Sequence, residues 1–466
     1  MLRRAARFAT GVGLAVLAAG GAGAPATAAT PPYAPVNRPG PPLTIPAQTL
    51  SKAVRCSPGL RDAIRSPVLL SPGTGGTADE NYGWNYMPAL SARGIPWCGV
   101  DTPDHTLADI QDDGEYFAYA IWTMHAVSGR KVSIIGYSQG GMNVRWALRF
   151  WPDVRAMVDD VIGLGPDNHG TTATQHLHVC ARGCVAAAWQ NVPGSQFLSA
   201  LNSPTETFPG ISYTQVYTRY DLLSTPAGDN GTSPLHTGKG AIANVLIQDI
   251  CPASTTDHVA IGTTDPVGWA LAIDALDHPG PASPARIDRK VCTETALPGV
   301  SPTGSLEAVP AVPYLTAAAT PLNLVGVKKL GAEPPLRCYV FAACQQTRRL
   351  PRARGRLAGT TSRPTLTLSV AAPSGEPPLR ALRIVLPGTL SIAPGAAQRL
   401  RVLGGATVAT MRREIVLRAR IPSARRISLR AGAGTLRGTR SGRVVLRLHT
   451  TDALGLTATV RLLLRR

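Results

Sequence analysis

The fold of this chain is decided by the segment Val132-Ser133-Ile134-Ile135-Gly136-Tyr137-Ser138-Gln139-Gly140-Gly141. Its first six residues predict a buried strand, and residues 142–150 continue with a helical pattern. A serine flanked by glycines at such a strand-to-helix turn is typical of a nucleophile elbow, where the sharp backbone excludes bulky neighbours. We therefore predict that Ser138 is a nucleophile.

Strand and helix patterns alternate along the first two thirds of the chain. The clearest helix, 109–127, repeats apolar residues at helical spacing. Such alternation predicts an α/β fold, a mostly parallel sheet with helices on both faces and an active site at the carboxyl ends of the strands. The predicted strands are 68–70, 95–100, 132–137, 158–164, 214–217 and 244–247.

A serine nucleophile needs a histidine base and an acid that orients the histidine. In folds of this type the acid and then the histidine follow the serine, each after a later strand. That order selects Asp221 and His258. The alternatives are His236 and His278 for the base, and Asp229, Asp249 and Asp257 for the acid.

The negative charge that develops on the substrate needs N–H donors, which form an oxyanion hole. One donor is the residue after the nucleophile, Gln139, and another comes from a loop after an early strand. Thr74, in Pro72-Gly73-Thr74-Gly75-Gly76, can donate both its N–H and its hydroxyl. The alternatives are an ordinary glycine-rich turn and a phosphate-binding loop, but the latter lacks its Lys-Ser/Thr ending.

The amino terminus has the features of a secretory signal peptide. Three arginines at positions 3, 4 and 7 precede an apolar run, 8–19, and small residues at 26–29 offer a cleavage site. Glycines and Pro25 interrupt the run before it reaches the roughly 18 to 20 residues of a membrane span. We therefore predict that residues 1–29 are removed and that the protein is secreted, either soluble or associated with the cell surface.

An even number of cysteines, eight, predicts four disulfides in an exported chain. Their spacing favours local bridges between Cys180 and Cys184 and between Cys338 and Cys344. The remaining four are Cys56, Cys98, Cys251 and Cys292. As an alternative, Cys180 and Cys184 with His176 and His178 have the ligand types of a zinc site, which an oxidising compartment disfavours. We predict no metal and no cofactor.

Charge divides the chain into two parts. Residues 345–466 contain 24 arginines, no lysine and three acidic residues, a net charge of +21, whereas residues 30–344 carry a net charge of −5. We predict a Pro-rich leader (30–46), a large domain (47–344), a linker (345–364) and a second domain (365–466). Short alternating runs predict that this domain is β-sandwich-like. They are 365–371, 382–386, 414–421, 426–430, 443–449 and 457–464.

The excess of arginine in the second domain predicts attraction to an anionic cell wall or membrane surface. Nucleic acid is disfavoured as a partner, because export removes it and the domain has no aromatic residues for base stacking. The alternative is a coding bias that places arginine at every solvated strand position without a function. We predict a monomer.

Six segments together resemble the α/β-hydrolase lipases of the Candida antarctica lipase B type, over residues 45 to about 345. They are 72–75, 137–141, 165–167 with 170–171, 189–190, 216–217 with Asp221, and 257–258. The resemblance implies an esterase with Ser138, Asp221 and His258 as the catalytic triad. It implies that Thr74 and Gln139 form the oxyanion hole.

The resemblance also implies positions around the substrate. Asp167 is expected near it, and we place Tyr137, Trp189 and Leu223 at the same site. Tyr137 replaces the family's tryptophan, which lies at the floor of the pocket for the alcohol. Disulfides are implied between Cys56 and Cys98 and between Cys251 and Cys292, and Cys338 to Cys344 resembles the family's last bridge, whereas Cys180 and Cys184 have no counterpart.

The sequence thus predicts a secreted serine hydrolase that cleaves carboxylic esters of lipids, a triacylglycerol lipase or carboxylesterase, through an acyl-enzyme on Ser138. Two enzyme alternatives are a polyester or cutin-type esterase and an acyltransferase. The alternative that is not an enzyme is a cell-wall-binding protein with an inactive hydrolase scaffold.

Overall fold

The computed structural model describes residues 32–173, 183–300, 327–344 and 350–465, apart from 361, 374–375, 377, 404–405, 421–423, 439–442 and 453–456. The predicted signal peptide lies outside these residues. Among the helices within these ranges, none has the length and apolar character needed to cross a bilayer.

A seven-stranded sheet forms the centre of the first domain. Its strands are β1 (Val54–Cys56), β2 (Val68–Ser71), β3 (Trp97–Val100), β4 (Val132–Tyr137), β5 (Val158–Leu164), β6 (Ser212–Tyr217) and β7 (Ala241–Leu246). Their order is β1-β3-β2-β4-β5-β6-β7, and only β1 is antiparallel to its neighbour. The predicted α/β fold is therefore confirmed. Strand β1 was not predicted, because three residues with a central arginine are too few to show the alternation of apolar and polar residues that marks a strand.

Helices cover both faces of this sheet. Leu69 of β2 lies in one apolar cluster, whereas its neighbours Val68 and Leu70 lie in the other, because successive strand residues point to opposite faces. The helices are α1 (Ala47–Lys52), α2 (Ala78–Tyr82), α3 (Tyr86–Ala92), α4 (Ile110–Ser128), α5 (Gln139–Phe150), α6 (Ala186–Gln190), α7 (Gln196–Leu201), α8 (Ile247–Ile250), α9 (His258–Thr263) and α10 (Pro266–Asp277). Short 3₁₀ helices span Leu60–Asp62, Pro152–Met157, Pro284–Arg286, Arg289–Thr293 and Cys338–Val340.

The long helix α4 matches the predicted helix 109–127. Its amino-terminal cap is Asp109, whose carboxylate accepts a hydrogen bond from the N–H of Gln111. Its apolar side chains pack with α5 against one face of the sheet.

The Pro-rich leader, from residue 32 onward, is held along the large domain by backbone and side-chain hydrogen bonds. Ala34 donates to the carbonyl of Val340 (2.7 Å) and accepts from the guanidinium of Arg149 (2.7 Å). The Thr44 hydroxyl donates to the Glu115 carboxylate (2.7 Å). The leader therefore belongs to the folded domain.

Three predicted disulfides are present: Cys56 to Cys98, Cys251 to Cys292 and Cys338 to Cys344. Cys184 is also disulfide-bonded, but Cys180, its predicted partner, lies outside the described residues, as do His176 and His178. A disulfide-bonded Cys184 has no thiolate to offer zinc, which counts against the alternative zinc site.

The carboxyl-terminal region is entirely antiparallel. Its strands are β8 (Arg352–Gly359), β9 (Pro364–Ala371), β10 (Leu379–Val385), β11 (Leu390–Ile392), β12 (Leu400–Leu403), β13 (Ala406–Met411), β14 (Glu414–Ala419), β15 (Arg426–Ala431), β16 (Leu436–Gly438), β17 (Arg443–Asp452) and β18 (Thr457–Arg465), with a 3₁₀ helix at Ala396–Arg399. A five-stranded sheet, β13-β14-β10-β17-β18, and a four-stranded sheet, β12-β15-β9-β8, share one apolar core, and β11 pairs with β16. This agrees with the predicted β-sandwich-like domain.

Strand β8 lies inside the segment predicted as a linker, 345–364, so that prediction needs correction. β8 pairs with β9 from Arg352 opposite Ala371 to Gly359 opposite Pro364. Its inward positions include Ala353, the buried Leu357 and Gly355, where an added Cβ would lie 3.0 Å from Leu462. The apolar alternation of this strand is weak because the side chains of Leu462 and Leu464 occupy the space beside Gly355.

Candidate active site

Ser138 occupies the sharp turn between β4 and α5. Its φ of 52° and ψ of −130° lie in a region that non-glycine residues rarely adopt. A Cβ added at Gly136 would lie 2.7 Å from backbone atoms of Gly140, and one at Gly140 would overlap the carbonyl of Ser71. The two glycines therefore allow β4, α5 and β2 to approach closely around the strained serine.

Ser138, His258 and Asp221 form a hydrogen-bonded series. His258 Nε2 lies 3.0 Å from Ser138 Oγ, and His258 Nδ1 lies 2.8 Å from Asp221 Oδ2. Asp221 follows β6, and His258 is the first residue of α9. All three residues are buried, so little water competes for these hydrogen bonds.

The second oxygen of Asp221 is fixed by the backbone. Asp221 Oδ1 accepts hydrogen bonds from the N–H groups of Leu223 (2.9 Å) and Ser224 (2.6 Å). Because these donors hold one oxygen, the other is directed at the imidazole. The carboxylate can thus orient His258 with its Nδ1 protonated and its Nε2 free to accept a proton.

Burial lowers the pKa of His258, but the charge and hydrogen bond of Asp221 outweigh burial, and Asp167 and Asp257 add smaller contributions. The net result is a pKa above the usual value of 6.5. The imidazole therefore loses its proton, and can act as a base, only at a pH above that value.

The alternative acids and bases have other partners among the described residues. His278 contacts Asp274, and the ring of His236 stacks on that of His169. Asp229 accepts from the hydroxyl of Tyr217, Asp249 lies 3.7 Å from Arg219, and Asp257 caps α9.

The two predicted oxyanion residues are in contact with each other. The Thr74 hydroxyl donates to Gln139 Oε1 at 2.7 Å. Gln139 is the first residue of α5, and the first N–H groups of a helix have no acceptor within it. The structure therefore brings Thr74 beside the residue that follows the nucleophile.

The loop His105-Thr106 supports this pair and was not identified in the sequence. Both residues have positive φ, 54° and 61°. The Thr106 carbonyl accepts from Gln139 Nε2 (2.8 Å), and its hydroxyl donates to the carbonyl of Gly73 (2.8 Å). The only signal in the sequence is its position after β3, at the carboxyl edge of the sheet.

Asp167 places a second carboxyl group in the site, beside the nucleophile. Its Oδ2 lies 3.5 Å from Ser138 Oγ and accepts from Asn191 Nδ2 at 2.9 Å. Its Oδ1 accepts from the Ser224 hydroxyl, which also lies 3.4 Å from His258 Nδ1. Burial raises the pKa of Asp167. Sequence reasoning missed Ser224 and Asn191, because neither has a motif of its own.

The three other predicted substrate residues lie at different distances from the reacting groups. The Tyr137 ring is 5.1 Å from the His258 ring and packs against Gly262. Leu223 is partly exposed and adjoins Asp221 through its N–H. The Trp189 indole donates to the carbonyl of Leu330 at 2.9 Å, so it is tied to the segment 327–330.

Comparison with known proteins finds similarity to lipases. No family model matches the chain. Lipase B of Pseudozyma antarctica is 28% identical over 315 residues, which cover 66% of this chain and 89% of that protein. The crystal structure of Aspergillus fumigatus lipase B is 27% identical with a TM-score of 0.58, covering 67% of this chain and 77% of that one. These similarities confirm the resemblance to lipases of the lipase B type.

Proposed function

We propose that this chain hydrolyses carboxylic esters of lipids through an acyl-enzyme on Ser138. The observation that carries the proposal is the buried series from Ser138 Oγ to His258 (3.0 Å) and from His258 to Asp221 (2.8 Å). The similarity to lipase B supports an ester as the substrate.

In the first half of the reaction, Ser138 Oγ attacks the ester carbonyl while His258 Nε2 takes the hydroxyl proton. Asp221 stabilises the imidazolium that forms, because its carboxylate is buried and already directed at Nδ1. His258 then gives the proton to the departing alcohol. In the second half, water attacks the acyl-enzyme while His258 takes its proton, and His258 then returns the proton to Ser138 Oγ as the bond to the acid breaks.

The tetrahedral oxyanion is stabilised by the N–H groups of Thr74 and Gln139 and by the Thr74 hydroxyl. In the absence of substrate this hydroxyl donates to Gln139 Oε1. When substrate is bound, the same hydroxyl donates to the oxyanion instead. Thr106 keeps both residues in place from the other side of the loop.

Asp167 adjoins the substrate, and burial raises the pKa of its carboxyl group. Burial thus disfavours a second negative charge beside the developing oxyanion. Tyr137, beside His258, borders the alcohol, and Leu223 and Trp189 line the approach.

We also propose that the protein is secreted and is retained at an anionic surface by its carboxyl-terminal domain. Three disulfides in the large domain support an oxidising compartment. The net charge of +21 on residues 345–466 supports attraction to anionic groups.

The test of the hydrolase proposal uses the mature protein, from residue 30 onward, on esters of increasing acyl length, both soluble and emulsified. We expect hydrolysis that Ser138→Ala abolishes. Hydrolysis of no ester in the series by a folded protein would contradict the proposal and favour a binding protein with an inactive scaffold.

A further inference from the structure

One face of the carboxyl-terminal domain is unusually rich in cations. It is the outer face of the four-stranded sheet, and we call its six exposed arginines the arginine face. They are Arg352, Arg354 and Arg356 of β8, Arg401 of β12, and Arg426 and Arg430 of β15.

Strand register arranges these arginines in rows. In one row Arg401 lies opposite Arg430, Arg430 opposite Thr367, and Thr367 opposite Arg356. In the next row Arg354 lies opposite Ser369, which lies opposite Ser428. Neighbouring strands are about 4.8 Å apart, and residues on one face recur about every 7 Å along a strand. Arginines and hydroxyl-bearing residues therefore occupy neighbouring positions on this face of the sheet.

The four strands that form this face contribute no acidic residue beside these arginines. Residues 345–466 contain only Glu376, Glu414 and Asp452 as acids, and none lies on the four strands of this sheet. Arg401 and Arg430 face each other directly, an arrangement that destabilises a sheet unless an anion intervenes.

The outer face of the five-stranded sheet differs. There Arg383 forms a two-pronged ion pair with Glu414, at 3.0 and 2.6 Å. Val445 and Leu463, opposite each other, are exposed beside the pair Arg447 and Arg461. The five-stranded sheet also carries exposed arginines, Arg418, Arg447 and Arg461. It differs in having the acidic Glu414 and the apolar pair Val445 and Leu463 on the same sheet, so the arginine face has the larger excess of arginine over acidic residues.

We propose that the arginine face binds a linear phosphodiester polymer of the cell envelope. This binding would be the means of the surface attachment proposed above, and it rests on that proposal. The planar guanidinium group donates two hydrogen bonds to one phosphate. The remaining oxygens of a tetrahedral phosphate diverge from that plane, where Ser369, whose Oγ accepts from Ser428 at 3.1 Å, offers a hydroxyl donor beside the arginines.

Two other anionic partners fit this face less well. Binding to a lipid surface calls for several apolar side chains that insert into the membrane. Among the described residues of these four strands, Leu403 is the one large apolar side chain that is exposed. Nucleic acid binding calls for aromatic rings that stack on bases, and residues 345–466 contain none.

The experiment measures binding of the full mature chain to poly(glycerol phosphate) as salt is raised. The test variant is Arg354→Gln/Arg356→Gln/Arg430→Gln on the arginine face. The matched control, Arg418→Gln/Arg447→Gln/Arg461→Gln, removes the same charge from the other sheet. We expect the test variant to bind about tenfold more weakly or worse at 50 mM salt, and the control to lose less than about threefold in affinity. We also expect the slope of log K against log salt to be lower in magnitude by about 2 to 3 in the test variant.

Three further ligands distinguish the chemistry: single-stranded DNA with the same number of phosphates, polyglutamate of equal charge, and anionic phosphatidylglycerol vesicles. We expect each to bind more weakly than poly(glycerol phosphate). Equal losses in the two triple variants would overturn the proposal in favour of net charge alone. Tighter binding of DNA, polyglutamate or vesicles would overturn it in favour of that partner.

Denaturant unfolding checks that both variants are folded, and hydrolysis of a soluble ester by the same samples checks that the large domain is intact. It also separates the two proposals, since an inactive protein that binds the polymer would contradict only the hydrolase proposal.

Discussion

Replacing Asp221 by asparagine changes the proton on His258 without changing the shape of the site. Asp221 Oδ1 accepts from two backbone N–H groups, at 2.9 and 2.6 Å. The amide oxygen must keep that position, so the amide NH₂ faces His258 Nδ1. Nδ1 then accepts a hydrogen bond, and the proton moves to Nε2.

A protonated Nε2 cannot take the proton of Ser138. The wrong tautomer costs a serine protease about 10⁴-fold in kcat, which corresponds to about 5.5 kcal/mol of transition-state stabilisation. We therefore expect Asp221→Asn to lower kcat on a soluble ester by about 10³- to 10⁴-fold, with a much smaller change in KM.

The assay is kcat and KM between pH 5 and 10. In the wild type, kcat/KM should rise with an apparent pKa above 6.5, because Asp221 raises the pKa of His258 against the effect of burial. The matched control is Asp257→Asn, which keeps a side-chain oxygen to cap α9 and removes only the charge of residue 257 beside His258. We expect it to change stability by less than about 1 kcal/mol and to cost less than tenfold in kcat. A folded Asp221→Asn enzyme within tenfold of wild-type kcat would refute the reasoning.

Three further predictions concern the oxyanion hole, stability and the alcohol pocket. Thr74→Val, which loses only the hydroxyl donor, should lower kcat by about 10²- to 10³-fold, whereas Thr74→Ser should retain most activity; equal losses in both variants would speak against the hydroxyl. Burial raises the pKa of Asp160 to about 7, although the Ser133 hydroxyl opposes this. The Asp160 carboxyl therefore loses its proton at a lower pH in the unfolded chain than in the folded chain, and the free energy of unfolding of the wild type falls as pH rises from about 4 to 7. Asp160→Asn has no such carboxyl, so its free energy of unfolding should gain about 2 to 4 kcal/mol relative to that of wild type between pH 4 and pH 8. Denaturant unfolding at both pH values measures this, and an unchanged difference between the two proteins would argue that Asp160 ionises normally. Tyr137→Trp should reduce activity on esters of bulky secondary alcohols more than on matched primary alcohols, by about 10- to 200-fold if one pocket contact is lost; an equal ratio in both enzymes would show that Tyr137 does not border the alcohol.

The elements that carry the site could be predicted because their signals are local. The elbow at Ser138 needs small residues two positions away on each side, and those residues are visible in the sequence. Asp221 and His258 follow from chain order, because each lies after a strand whose apolar run is also visible. The C-terminal strands with clear alternation were predicted for the same reason.

The features that were missed depend on distant parts of the chain. Strand β8 has little apolar alternation, and its position is decided by pairing with β9 and by contact of Gly355 with β18. Thr106 and Ser224 have no motif, since their roles come from hydrogen bonds to residues 33 and 57 positions away. Only the folded sheet brings these pairs together.

The central claim is that Ser138 is an activated nucleophile, and covalent labelling with a fluorophosphonate tests it most directly. Such a probe reacts with a serine whose hydroxyl is deprotonated by a neighbouring base, and not with ordinary serines. We predict one label per chain, located on Ser138 by peptide mass, absent in Ser138→Ala and strongly slowed in His258→Ala. Unlabelled Ser138 in a folded wild-type chain, or equal labelling of the Ser138→Ala variant, would contradict the account.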